Sequence, residues 1–293
     1  VSAKVGDGTA VTIVEETDYR FSDTIVLRLK APKAVAFPLY LRIPRWCAAP
    51  AVAVNDQAVS LAAPPLSYAI LDRTWKDGDT VTVRFPMEIA VTTWAKNRDS
   101  VSVARGPLAF SLAIGEQWQR YGANEKWPEW EVFPATPWNY GLVLDEANPA
   151  ASFTVIPAGK PVPPNPFTPE AAPIMLKAKA RKIPGWQLDR NNMVGVLQKS
   201  PARSGEPEED VTLIPLGAAR LRISSFPTIG TGPDATEWVG QARPRASQYR
   251  ASASHCHATD STDALGDGLE PSSSDDQSIP RFTWWPHRGT DEW

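Results

Sequence analysis

Phe37-Pro38-Leu39-Tyr40-Leu41-Arg42-Ile43 is the stretch on which the fold turns. Successive side chains on a strand point to opposite faces, so Phe37, Leu39, Leu41 and Ile43 line one side while Tyr40 and Arg42 line the other. Working outward, the same period of two recurs over residues 10–91. Val11-Thr12-Ile13-Val14 and Ile25-Val26-Leu27-Arg28-Leu29 precede it; Ser67-Tyr68-Ala69-Ile70-Leu71, Val81-Thr82-Val83-Arg84-Phe85 and a run from Met87 to Thr92 follow. Such alternation marks half-buried strands. Asn55-Asp56-Gln57, after Ala51-Val52-Ala53-Val54, reads as a hairpin turn, and Asp77-Gly78 supplies the positive φ of another. Short strands at this spacing predict an all-β fold built as an antiparallel β-sandwich.

Past residue 100 the pattern loosens. Arg105-Gly106-Pro107 introduces a strand over 108–112; Gly106 is read as allowing close backbone approach and Pro107 as ending a ladder at an edge. Residues 157–173 form a proline-rich extended connector, 174–180, 211–215 and 221–223 look like strands, and 199–210 is a polar loop. The organisation expected is a β-sandwich over 1–115, an aromatic and Pro-rich segment with further strands of the same or a second sandwich over 116–230, a linker over 231–248, and a truncated module over 249–293. No internal repeat is evident.

Composition narrows the function classes. At 293 residues with 42% hydrophobic content, the chain has material for one large or two ordinary packed domains. A formal charge of −3 leaves no basic excess to release counterions from nucleic acid. Neither a basic amphipathic stretch nor an apolar run of transmembrane length is present, so no membrane partner is expected. Twenty-nine prolines favour β structure with long connections, and two cysteines, Cys47 and Cys256, make no disulfide framework. The start at Val1, with neither initiator Met nor signal pattern, and the aromatic end at Trp293 lead to the expectation of a piece of a larger enzyme.

Several motifs, in order and spacing, carry a resemblance: Glu16-Thr17-Asp18-Tyr19-Arg20-Phe21, Leu41-Arg42-Ile43-Pro44-Arg45-Trp46, Arg73-Thr74-Trp75-Lys76-Asp77-Gly78-Asp79, Pro86-Met87-Glu88 and Ala104-Arg105-Gly106-Pro107-Leu108. The runs from Phe133 to Gly141 and from Leu213 to Gly217 extend it. Over residues 1–228 the chain resembles the C-terminal β-sandwich region of glycoside hydrolase family 127, the β-L-arabinofuranosidase-like group. That resemblance implies a catalytic (α/α)6 barrel ahead of Val1, with an acid/base glutamate and a nucleophilic cysteine in a zinc-bound cluster. It further implies a plant-type glycan or small sugar as substrate; a bacterial periplasmic or secreted setting is compatible with an N-terminus ahead of Val1. No catalytic residue carries over: the adjacent cysteine pair of the barrel is absent, and any zinc belongs to the barrel. The tail, from Ala251-Ser252-Ala253-Ser254 through Phe282-Thr283-Trp284-Trp285, is similar to the opening of a discoidin-like, galactose-binding-type sandwich.

The candidate contact residues lie in 116–140, where Trp118, Tyr121, Trp127, Trp130, Trp138 and Tyr140 crowd a stretch broken by Pro128, Pro134 and Pro137. Rings on stiffened loops serve as sugar platforms; packing against a neighbouring domain is their commoner use. Asp260, Asp263, Asp267, Asp275 and Asp276, near Gly266 and Gly268, are oxygen donors of the kind calcium takes, although their spacing is not that of an EF-hand. His255-Cys256-His257, with His287 as a third donor, is the one cluster of soft ligands and lacks a short-spaced partner pair. The pairs Glu15-Glu16, Glu129-Glu131 and Glu208-Glu209 are read as solvated charge. As glycosidase acid and base they would need to face one another across a sugar pocket.

Overall fold

The computed structural model describes residues 1–60, 63–122, 124–159, 161–188, 193–239, 251–266, 269 and 276–283. The first sandwich contains β1 (Ser2–Val5), β2 (Thr9–Thr17), β3 (Thr24–Lys30), β4 (Val35–Arg42), β5 (Ala51–Val54), β6 (Gln57–Val59), β7 (Tyr68–Trp75) and β8 (Thr80–Arg84). Six of these form one sheet in the order β1-β2-β3-β8-β5-β6, and β4 pairs with β7 alone to form the opposing layer. Between the layers lie Leu29, Phe37, Leu41, Leu71, Trp75 and Val81, all buried. The alternation read from the sequence is realised: Val35, Phe37 and Leu41 face the core while Ala36, Pro38, Tyr40 and Arg42 face outward. The turn between β5 and β6 has Asn55 and Asp56 at φ 49° and 62°, the paired left-handed residues of a two-residue hairpin. Asn55 also donates to Asp79 (2.8 Å) and accepts from the Thr80 amide (2.8 Å), joining this turn to the one at Gly78.

The second unit begins at β9 (Ile89–Trp94), followed by β10 (Ser100–Arg105), β11 (Leu108–Leu112), β12 (Glu116–Tyr121), β13 (Glu129–Pro134), β14 (Tyr140–Leu142), β15 (Thr154–Pro157), β16 (Ile174–Lys182), β17 (Ala202–Arg203), β18 (Glu208–Pro215) and β19 (Thr236–Glu237). Its main sheet runs β14-β16-β18-β11-β10-β9, with β15 also on β16. Strands β9 to β11 thus pair with β18 and bury Val101, Val103, Phe110 and Leu112 in a second core, separate from that of residues 11–85. The chain adds Ala235 and Trp238 to this unit before residue 240. Pro107 sits in the turn between two interior strands, β10 and β11, and not on an edge strand as the sequence implied. Residues 221–223 make no strand either. The segment is held instead by isolated bridges: Leu112 N–H to Ile223 O (2.8 Å), a reciprocal pair between Val101 and Phe226 (2.8 Å each), and then Leu142, which donates to Pro227 O (2.9 Å) and accepts from the Ile229 amide (2.8 Å).

The two units meet at Gly106, whose backbone at φ 54° presses on the Met87 side chain; a Cβ there would lie 2.7 Å from Met87 Cγ. Phe21, from the first unit, packs against the second core. Within the first unit the Trp75 indole is fully buried, donates to the Phe37 carbonyl (3.0 Å) and packs on the Phe37 ring at 5.9 Å. Trp75→Ala is expected to lower unfolding free energy by about 3–5 kcal/mol through the cavity it leaves. Denaturant unfolding followed by circular dichroism reads this.

Candidate functional site

The aromatic segment resolves into the β12–β13 hairpin and its exit. Six residue pairs, from Glu116↔Pro134 to Tyr121↔Glu129, fix its register. Alternation then places Glu116, Trp118 and Arg120 with Trp130, Val132 and Pro134 on one face. Gln117, Gln119 and Tyr121 share the other with Glu129, Glu131 and Phe133. Trp118 and Trp130 are diagonal neighbours and meet edge to face at 6.3 Å and 74°. Beyond them Asn124 Oδ1 accepts from the amides of Lys126 and Trp127, both at 3.1 Å, and shapes the turn that presents Trp127 to solvent.

A residue the sequence reading passed over anchors this hairpin. Arg220 pairs with Glu116 (2.9 Å) and lays its guanidinium over the Trp118 ring at 5.2 Å. Glu116 Oε2 accepts from Trp118 Nε1 as well (3.1 Å), so one carboxylate oxygen holds both the cation and the indole. Arg220 stands 104 residues from its partner, and no local pattern announces it.

Of the six candidate aromatics, Trp118, Tyr121, Trp127 and Trp130 are exposed on the hairpin, whereas Trp138 and Tyr140 belong to the second core. Trp138 meets Trp186 edge to face at 5.2 Å, and Trp186 meets Trp238 at 5.4 Å. A shallow groove of about 240 Å³ beside them is bounded by Pro134, Pro137, Asn139 and Gln187, but Trp186 is 2% exposed and offers no free ring face. Tyr140 donates its hydroxyl to Glu209 (2.8 Å), which also binds Lys182 (2.7 Å). Burial and the Glu209 carboxylate push the Tyr140 phenol from 10.0 up to about 12. Lys182, then Tyr140, holds the Glu209 carboxyl below its ordinary range.

The acidic pairs do not converge on a cavity. Glu16 is engaged by Arg28 at 3.0 Å and Glu209 as just described, while Glu129 and Glu131 lie exposed on the hairpin's second face. In the tail, Asp260 is buried, accepts from Arg281 (3.1 Å) and the Thr283 amide (2.9 Å), and is not aimed at an open loop. Burial opposes its ionisation, yet these bonds outweigh burial and keep its carboxyl below the usual range. Asp263 is exposed in the short helical turn that follows, and Asp276 lies 13 residues further on. His255 and Cys256 are exposed, and His257 Nδ1 lies 2.8 Å from Thr259 Oγ1. Asp267, Gly268, Asp275, Trp284, Trp285 and His287 fall outside the described residues. Among the described residues, no three His, Cys, Asp or Glu side chains are grouped to hold a metal.

The described residues form an all-β architecture: a β-sandwich, a second unit built on a seven-stranded sheet, and an exposed aromatic hairpin. Residues 1–87 match the family model described as the β-L-arabinofuranosidase GH127 middle domain, as the sequence resemblance indicated. Solved structures share the fold. One glycoside hydrolase superposes with a TM-score of 0.51 at 24% identity, over 78% of this chain and 34% of that one. A GH127 β-L-arabinofuranosidase from Geobacillus stearothermophilus T6 gives 0.50 at 23% identity, over 77% and 31%. A further GH127 β-arabinofuranosidase gives 0.52 at 19%, over 80% and 34%. The chain therefore spans about a third of the length of these proteins. Among curated protein sequences there is no match. The discoidin-like resemblance of the tail gains nothing from these matches.

Two outcomes test this geometry. Because the Tyr140 pKa is raised in the folded state, its contribution to stability is complete below pH 10 and is lost as pH rises towards 12. Tyr140→Phe is expected to remove that part of the alkaline loss in a pH series of thermal melts. Arg220→Ala is expected to speed amide exchange across β12 and β13 several-fold while leaving the global unfolding midpoint in place, since the hairpin pairs with neither main sheet.

Proposed function

We propose that this chain is the non-catalytic β portion of a glycoside hydrolase that removes L-arabinofuranose, or a related sugar, from plant-type glycans. In this reading it braces an (α/α)6 catalytic barrel, and the β12–β13 hairpin borders the sugar cleft. The observation that carries the proposal is the match of residues 1–87 to the GH127 middle domain. Acid–base and nucleophilic chemistry reside in the barrel, and so does any zinc, for which the described residues offer no donor set.

The hairpin's geometry favours an interface over a free-standing sugar platform. A stacking platform presents flat, uncovered ring faces, whereas Trp118 and Trp130 stand nearly perpendicular and Arg220 covers a face of Trp118. A hairpin of two strands is marginal in water without a surface to pack on, and most of its residues are exposed.

Incubated with an aryl β-L-arabinofuranoside, the chain is expected to release no aglycone; turnover by this chain would overturn the proposal. Titration with L-arabinose is expected to leave tryptophan emission unchanged. A saturable change abolished by Trp130→Ala would instead make the chain an independent carbohydrate-binding module.

A further inference from the structure

We propose that the β9–β10 end of the second unit carries a glycan-binding subsite, in which Trp94 is a stacking platform for a pyranose ring of a plant-type polysaccharide backbone. Strand β9 is an edge of the seven-stranded sheet, and its register sets Trp94 opposite Ser100 and Thr92 opposite Ser102. Alternation puts these four side chains on one face, away from the core that takes Val91, Val101 and Val103. Trp94 is 50% exposed, and between residues 89 and 105 it is the only large apolar side chain on the surface. Its indole N–H donates to Ser102 Oγ (2.8 Å). Ser102 is the cross-strand partner of Thr92, so the ring leans diagonally back over β10 and is held there. Among the described residues no second ring and no cation stacks on it, in contrast to Trp118.

Fixed polar groups border the ring. Asn97, in the turn between the strands, donates through Nδ2 to Ser100 Oγ (3.0 Å) and Ser225 Oγ (2.9 Å), and those two hydroxyls lie 2.9 Å apart. Ser100 is fully buried beneath this network, so the exposed Asn97 carboxamide is oriented from below. Its Oδ1 takes no protein donor among the described residues and is left as an acceptor for a ligand hydroxyl. A pyranose has the matching pattern, with C–H groups on a flat face and hydroxyls around the rim. A protein partner calls instead for a contiguous apolar patch, and Thr92, Lys96, Asn97 and Ser102 do not supply one. Past Thr92 and Ser102 the same face continues with the opposed pair Ala90 and Ala104. From Trp94 to Ala90 these small side chains leave a path of roughly 13 Å open along the strand. The site therefore suits a chain of sugars. One stacked ring holds a free monosaccharide weakly, whereas a polymer offers many equivalent rings to one platform. The choice of a plant-type polymer rests on the function proposed above.

In native gels cast with soluble arabinoxylan, whose backbone is xylopyranose, the 293-residue chain is expected to run slower than in gels without polymer. Trp94→Ala is expected to weaken this retention about tenfold or more, as loss of a central aromatic contact does. Tyr40→Ala, which removes an exposed ring of the first unit, is expected to leave it unchanged. Thermal melts check that each variant is folded. Ser102→Ala frees the indole without removing it and is expected to weaken retention several-fold, which gives a second reading independent of the ring's own packing. Absence of retardation overturns the proposal and leaves Trp94 to a protein surface. Retardation that survives Trp94→Ala overturns it equally, because the polymer then binds elsewhere. Turnover of an aryl β-L-arabinofuranoside would sink the non-catalytic reading without altering the gel result, so the two fail separately.

Discussion

The Trp75 indole, buried between the layers, packs a sheet of two strands against a sheet of six, while its hydrogen bond to the Phe37 carbonyl stays within the smaller sheet. Such a small layer has little stability of its own, so β4 and β7 keep their places only by burying one face completely. Everything on their other face follows from that. With Phe37, Leu41, Leu71 and Trp75 committed inward, the period of two forces Pro38, Tyr40, Arg42, Tyr68, Ile70 and Asp72 outward whatever their polarity. The interior constraint thus manufactures an exterior of defined composition.

The first sandwich was legible because each strand is buried on one side, and one-sided burial writes alternation into the sequence. Asn55-Asp56 and Asp77-Gly78 announced their turns because few residues tolerate positive φ. The second unit was harder to read. Its central pairing, β11 with β18, joins segments about a hundred residues apart, and no local rule encodes that choice. Leu221-Arg222-Ile223 has the composition of a strand, but the Ile223 carbonyl is taken by the Leu112 amide and the Ser111 hydroxyl as the chain crosses the sheet. Pro107 misled for a related reason. Its missing N–H is harmless at an edge strand or in a turn, and the sequence does not tell those places apart.

The aromatic site was half legible. Composition picked out residues 116–140 as one group, but register divides it: four rings ride an exposed hairpin, and two enter the core. Tyr140 goes inward because its hydroxyl finds Glu209, 69 residues away, and a buried phenol needs such a partner. Arg220 escaped notice for the same reason, its role being set by tertiary proximity to Glu116 and Trp118. The outward apolar side chains Tyr40, Tyr68 and Ile70 did leave a trace. A large apolar residue on the wrong side of a clean alternation marks a surface that is not designed for water alone.

The stem of the β12–β13 hairpin is closed by a hydrogen bond from the Ala135 amide to the Gly115 carbonyl, 2.7 Å long. The chain leaves the second unit and returns to it at nearly the same point, so residues 116–134 form a cassette on a closed stem. Length and composition towards the tip of this cassette are free to drift without disturbing the cores beneath, while Arg220 and the half-buried Val132, Phe133 and Pro134 tie down its base. A scaffold built this way can acquire new surface chemistry at one address while its architecture stays fixed.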